Sequence, residues 1–265
     1  MHIPDGYVSL PVAAAGAAVA ATGVVIAARR AAIVLREKVT TLPAVVAAYL
    51  LVGQLLVVPV GFGTSAHLIG TGLATVLVGP AVAIICVATV VVLQSLVFAD
   101  GGVTAIGLNV VNDGIVPALV AVAVVRMVWP LVRRRTERFA MVAGVAAAFA
   151  ALAGGLSAAV VLVVGGSDVV SRTTIFATLG GAHLMVAIIE AMLTAAIVAT
   201  IMRLRPDLLG LARAARTVAV AVAVAVTVTD TGTVHDYDAD ADLGEPPGVT
   251  RDEVDRQAQR GSGRR

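Results

Sequence analysis

The chain has 265 residues, of which 59% are hydrophobic, 14% charged and 3% aromatic, and its mean hydropathy is +0.97. A water-soluble protein of this length exposes too much surface to be so apolar, so lipid is part of its solvent. The formal net charge of +2 is uninformative as a total, and no feature calls for nucleic acid. Of the 19 basic residues 18 are Arg, and Lys38 stands in Arg36-Glu37-Lys38-Val39. That context excludes a Gly-rich, lysine-bearing phosphate loop, so no ATP site is expected in this chain. Cys86 is the single cysteine and lies in an apolar run, which excludes a disulfide framework and a thiolate metal cluster.

The N-terminus reads MHIPDGYVSL. Asp5 precedes the first apolar run, and Arg29, Arg30, Arg36 and Lys38 follow it, the reverse of a signal peptide. The positive-inside rule places the N-terminus outside and residues 29–38 in the cytoplasm. Apolar spans fall at 8–28, 42–60, 68–99, 104–125, 139–164 and 176–202, and further basic clusters at 126–138 and 203–216. A bilayer core of about 30 Å needs about 20 helical residues. The span at 68–99 would reach roughly 48 Å as one helix, and Gly79-Pro80 is a strong breaker inside it. A turn there keeps all three basic clusters cytoplasmic, whereas a single crossing puts the five arginines of 126–138 outside.

The expected fold is therefore all-α, a polytopic membrane bundle of about seven transmembrane helices. Residues 67–79 and 81–98 are its third and fourth helices, the N-terminus is outside and the C-terminus inside, and the location is the plasma membrane. The short third helix cannot span alone and needs burial against its neighbours. Residues 1–216 are expected to form the transmembrane domain. Residues 217–265 open with a Val/Ala alternation too short to span, then turn acidic and mixed in charge with Gly, Pro and Ser. They are expected to form a disordered cytoplasmic tail.

This topology collects polar residues near one membrane surface. His2 is outside, His67 starts the third helix, and Asp100 follows the fourth. Asn109 and Asn112 lie three apart in the outer half of the fifth helix. His183 is in the outer half of the seventh, with Glu190 seven residues deeper on the same face. His235 falls in the tail. A histidine at position 2 of a free N-terminus offers the terminal amine, its own deprotonated amide and its imidazole to one metal, closing two small chelate rings in a plane. A bulky His at position 2 disfavours removal of the initiator methionine, so Met1 is expected to supply the amine. The His67 imidazole would complete a square that suits Ni(II) or Cu(II) and can hold low-spin Co(II). Pro4 keeps the start from becoming helix.

The expected metal ligands are thus Met1, His2 and His67, with Asp100, Asn109, Asn112 and His183 as surrounding or transit residues. Asp100 would shape a turn and hydrogen-bond a ligand imidazole. Glu190 is read as a packing or subunit-contact residue. Plainer readings stand beside these. His2 can be an exposed terminal residue, His67 a histidine bonded to backbone at a helix start, and His183 with Glu190 a buried structural pair.

The stretches MHIPDG, GTSAHLIG, LQSLVFADGGVTAIGLNVVNDGI and LGGAHLMVAIIEAMLTAAIVATIMRLRPDLL together resemble the CbiM/NikM family over residues 1–210. These are the substrate-binding membrane components of energy-coupling-factor (ECF) cobalt and nickel importers. The resemblance implies a seven-helix bundle with an extracytoplasmic N-terminus threaded into the metal site. It implies ligands at Met1 (amine), His2 (amide and imidazole) and His67, with Co(II) or Ni(II) as the transported substrate. It also implies partners: a CbiQ-like transmembrane coupling subunit, CbiO-like ATPase subunits that carry the ATP chemistry, and a small CbiN-like accessory membrane subunit as a separate chain. Two positions depart from the family pattern: Ala66 stands where Gly is more frequent, and Asn112-Asp113-Gly114 stands where Asn-Met-Gly is more frequent. The second departure adds a charge near the outer face.

The alternative is a stand-alone secondary divalent-metal transporter, which needs coupling carboxylates near the bilayer midplane. Glu190 is the one acidic residue well inside a predicted helix. An intramembrane metalloenzyme is disfavoured, because HExxH is absent and a square nitrogen site leaves no place for an activated water. The chain is read as a transport component and not an enzyme, with cobalt slightly preferred over nickel.

Overall fold

The computed structural model describes residues 2–37, 41–55, 58–61, 64–132, 138–166, 171–205 and 209. The expectations for Met1, for His235 and for the 217–265 tail lie outside the described residues. The fold is helical apart from one small ribbon. Helices α1 (Leu10–Glu37) and α2 (Leu42–Gln54) come first. Strands β1 (Val58–Gly61) and β2 (Thr64–Ala66) then pair antiparallel, Val58 with Ala66 and Pro59 with Ser65. Next are α3 (Thr71–Val78) and α4 (Pro80–Val97). A continuous rod follows, made of α5 (Ile106–Val110), a π-helical stretch at Val111–Ile115 and α6 (Val116–Val132). Helices α7 (Phe139–Gly165) and α8 (Arg172–Leu204) complete the bundle.

Among the described residues, five stretches are long and apolar enough to cross a membrane: Leu10–Ile33, Pro80–Val97, Ile106–Pro130, Phe139–Gly165 and Arg172–Leu204. Helices α2 and α3, with 13 and 8 residues, fall short of that length. The outward faces carry Val19, Ile26, Leu184, Met185 and Ile188, all exposed, as lipid-facing positions require. The chain is thus a multi-pass membrane protein.

The 68–99 run does break at Gly79-Pro80. Gly79 takes φ 81° between the two helices, and Pro80 opens α4, the position where its missing N–H costs nothing. Two boundaries differ from the sequence reading. The second helix, expected to reach residue 60, stops at Gln54, because Val58, Pro59, Val60 and Gly61 pair as strand with residues 64–66. The third helix, expected to start at His67, starts at Thr71 behind Gly70, whose φ is 72°. His67 is therefore not a helix-start residue.

The core explains how an eight-residue helix is tolerated. Residues 71–77 of α3 are all buried, and α3 packs on α7 so tightly that a Cβ at Gly72 would lie 2.5 Å from the Ala147 Cα. Around it Val76, Val87, Val142, Ala143, Ala146 and Phe139 form one apolar cluster. Small residues let helix backbones approach where lipid supplies no hydrophobic drive between them.

Candidate metal centre

The first residues do not trail into solvent. His2 is 3% exposed and Ile3 1%. The Asn109 side chain grips the Ile3 peptide from both sides: Ile3 N donates to Asn109 Oδ1 at 2.8 Å, and Asn109 Nδ2 donates to Ile3 O at 3.3 Å. Gly102 N donates to the same Ile3 carbonyl at 2.9 Å. The Ile3 side chain packs with Ala105, Leu108 and Leu179. Asp5 closes the latch by accepting from Val103 N at 3.0 Å and from Thr104 N at 2.8 Å, and also from the Thr104 hydroxyl. Those bonds, the Thr104 hydroxyl first, hold the exposed Asp5 carboxyl below its ordinary range. The segment passes directly over Gly101 and Gly102. A Cβ on Gly101 would lie 2.8 Å from the His2 Cβ, and one on Gly102 would lie 2.4 Å from Asp5 N.

His67 comes from the extended stretch 67–70, and side chains from two other elements hold that stretch. Gln54, at the end of α2, donates from Nε2 to Ile69 O at 2.9 Å. Glu190 of α8 accepts from both Ile69 N and Gly70 N through Oε1. Glu190, expected to serve packing or a subunit contact, is buried as an internal clamp on the backbone next to His67. The His67 Nδ1 lies 2.9 Å from Leu68 O. A carbonyl can only accept, so the proton sits on Nδ1 and Nε2 is the basic nitrogen, the tautomer a metal ligand needs. Burial keeps the His67 imidazole well below the usual imidazole range, so the ring is neutral at physiological pH.

The His2 and His67 rings are 4.8 Å apart between centroids and tilted by 40°. Two carboxylates flank His2. Asp100 Oδ2 is 3.2 Å from His2 Nδ1, and Asp113 Oδ2 is 3.3 Å from His2 Nε2. His2, His67 and Asp113 each place a donor atom within 4.8 Å of the others, all three buried.

Local backbone geometry aims both acids. Helix α4 ends with Phe98 N and Asp100 N both bonded to Gln94 O, at 3.1 and 3.0 Å, so one carbonyl closes the turn. Its left-handed residue is Ala99, with φ 53°, where glycine is usual. The turn projects Asp100 onto His2, whose ring holds the Asp100 carboxyl below its ordinary range despite partial burial. Asp113 stands in the π-helical stretch, and its carbonyl, whose i+4 residue Pro117 has no N–H to give, accepts from the Thr71 hydroxyl. Single π-turns of this kind recur at functional sites.

The structure thus gathers His2, His67, Asp100 and Asp113, with Asn109 holding the N-terminal segment. Two further expected surrounding residues have bonds of their own, and His183 lies within electrostatic reach of His67 and Asp113. Asn112 turns to α7, where its Oδ1 accepts from Ser157 Oγ at 2.6 Å. His183 lies against Gly155, at which a Cβ would come 2.2 Å from the ring. Its Nδ1 is bonded to Leu179 O at 2.9 Å, and its Nε2 is buried without a hydrogen-bond partner among the described residues. Asp113 was read from sequence as a charge near the outer face; it is 1% exposed and stands against His2. Its sequence signal was a lone Asp-Gly pair within an apolar helix.

Residues 2–208 match the family described as "Cobalt uptake substrate-specific transmembrane region", CbiM. A protein of Archaeoglobus fulgidus named as a fused nickel transport protein, NikMN, is 34% identical over 217 residues, 79% of this chain and 68% of that one. A protein of Haloquadratum walsbyi named as a metal transport protein is 35% identical over 213 residues, 78% of this chain and 93% of the other. A solved structure titled as a transition metal transporter shares the fold, with a TM-score of 0.69 at 23% identity over 77% of this chain and 93% of that chain.

Proposed function

The chain belongs to the CbiM cobalt-uptake family of membrane proteins, and on that premise we propose that it is the substrate-binding component of an energy-coupling-factor importer for Co(II) or Ni(II). The ion is taken from outside by four nitrogens: the Met1 amine, the His2 amide, the His2 imidazole and His67 Nε2. ATP hydrolysis belongs to separate CbiO-like subunits, joined through a CbiQ-like coupling subunit and accompanied by a CbiN-like accessory chain. In this reading residues 1–216 are the metal-binding membrane domain and 217–265 a cytoplasmic tail.

One observation carries the proposal. The N-terminal segment is pinned by Asn109, Gly102 and Asp5 so that a buried His2 faces a buried, neutral His67, ring centroids 4.8 Å apart. A terminal residue without a task has no reason to lose that much chain entropy, on the order of 1–2 kcal/mol per residue. The four-nitrogen set suits both ions, so cobalt and nickel must be separated by surroundings and partners. The reading as a stand-alone secondary transporter rests on Glu190 alone, and its Oε1 already holds the Ile69 and Gly70 amides.

The test compares detergent-purified protein ending in native Met1 with the same protein carrying a long N-terminal extension. The native form should bind one Ni(II) or Co(II) with a planar-type absorption band, and the extended form should not. Equal binding by both would remove the terminal amine from the site.

A further inference from the structure

Among the described residues, His183 is the histidine that the ligand set above leaves out. It is 1% exposed. Its Nδ1 lies 2.9 Å from Leu179 O, and a carbonyl can only accept, so the proton sits on Nδ1. Nε2 therefore keeps its lone pair, buried and without a hydrogen-bond partner among the described residues, which calls for an explanation. The ring is seated directly on the α7 backbone, where a Cβ at Gly155 would lie 2.2 Å from the His183 Cγ.

Its turn of α8 stands level with both expected metal histidines. Four residues before it, Leu179 shares an apolar cluster with Ile3, the neighbour of His2. Three and four residues after it, Val186 and Ala187 share another with Ala66 and Ile69, on either side of His67. His183 is also within electrostatic reach of His67 and Asp113. It does not belong to the group His2, His67 and Asp113, whose donor atoms lie within 4.8 Å of one another. His183 thus adjoins the ligand set without being a member of it.

Ligand exchange at a square-planar ion such as Ni(II) is associative: an entering donor bonds before a leaving donor departs. A buried chelate from which water is excluded therefore releases its ion slowly unless the protein supplies the entering donor. Resting on the four-nitrogen reading above, we propose that His183 is the transfer ligand for the transported ion: its Nε2 bonds the metal as the Met1 amine leaves, and the reverse exchange completes loading. One metal–nitrogen bond forms and one breaks. Both donors are neutral, so no proton moves and the charge of the site is unchanged. The amine is the donor to leave, because it is tethered on one side only and needs no proton to depart.

The experiment uses the full chain with its native N-terminus, loaded with one Ni(II) in detergent and mixed with excess EDTA in a stopped-flow spectrometer. Loss of the planar absorption band reports release, and a rate independent of EDTA concentration marks the protein's own step. His183→Ala should slow release about tenfold or more and slow loading as well, while nickel affinity stays within about threefold of wild type. A histidine that only fills space predicts the opposite sign, since its removal loosens the site and speeds release. His183→Gln fills most of the same space without an imidazole nitrogen, so it should also be slow, and it decides by the same rate should the alanine variant fail to fold. Release from a folded variant at the wild-type rate or faster would overturn the role of His183. Failure of the underlying reading looks different. If the wild type shows no planar band, or the N-terminally extended protein shows the same one, the four-nitrogen set fails and the transfer role falls with it.

Discussion

Helices α7 and α8 meet through small side chains: a Cβ added at Gly144 would lie 2.6 Å from Ala191 O and 3.1 Å from the Ala195 Cβ. Around the candidate site, by contrast, the chain is held by individual polar bonds: Asn109 on Ile3, Asp5 on Val103 and Thr104, and Glu190 on Ile69 and Gly70. The first region is stabilised by many weak contacts and no single group decides its shape. The second depends on a few named atoms, each of which fixes a backbone position next to a histidine. Packing sets the stability of the bundle, and polar clamps set the geometry of the site, so substitutions in the two regions should separate stability from metal affinity.

The largest separation is expected from His67→Ala. It should abolish measurable nickel and cobalt binding, a loss above a hundredfold by titration, while the metal-free protein melts near the wild-type temperature. Glu190→Ala should move both readouts. It strips two buried N–H groups of their acceptor, at about 1–3 kcal/mol each, and frees the His67 stretch, so melting temperature and metal affinity should fall together. Gly144→Leu should do the reverse of His67→Ala. Overpacking costs about 1–3 kcal/mol, and the protein that remains folded should bind metal with wild-type affinity. A loss of affinity there would mean the two regions are not independent.

Smaller effects sharpen the contrast. Ala99→Gly removes a left-handed conformation that costs a non-glycine residue about 1 kcal/mol, so thermal stability should rise slightly. The turn holding Asp100 should loosen at the same time, which a cobalt titration would detect as weaker binding. The smallest is the acid response of the latch. Because Asp5 is held below its unfolded value of 3.8, its contribution is present above that value and is lost as pH falls through the folded one. Hydrogen exchange at the Val103 and Thr104 amides should therefore stay protected at pH 5 and open only once pH has fallen below 3.8. Asp5→Asn should show no such step.

Much of the helical frame was legible in the sequence, because apolar length, Arg clusters and the Gly79-Pro80 breaker are local signals. The segment after α2 was misread. Val58, Pro59, Val60 and Gly61 are apolar enough to extend a span by hydropathy, while their β-branching and flanking glycines suit the ribbon they form. That His2 and His67 lie close together was legible from the topology, which placed both at one membrane surface. The clamp by Glu190 was not, since its partners lie 121 and 120 residues away and backbone N–H groups leave no trace in a sequence. Asp113 was legible only as a charge near the outer face, and its place beside His2 follows from a π-helical stretch that no local pattern announces.

X-ray absorption on the nickel-loaded native chain tests the central claim most directly. Four nitrogen donors in a plane, with histidine outer-shell scattering and no sulfur or oxygen in the first shell, is the predicted result. A six-coordinate, oxygen-rich shell, or one that includes a carboxylate, would contradict it.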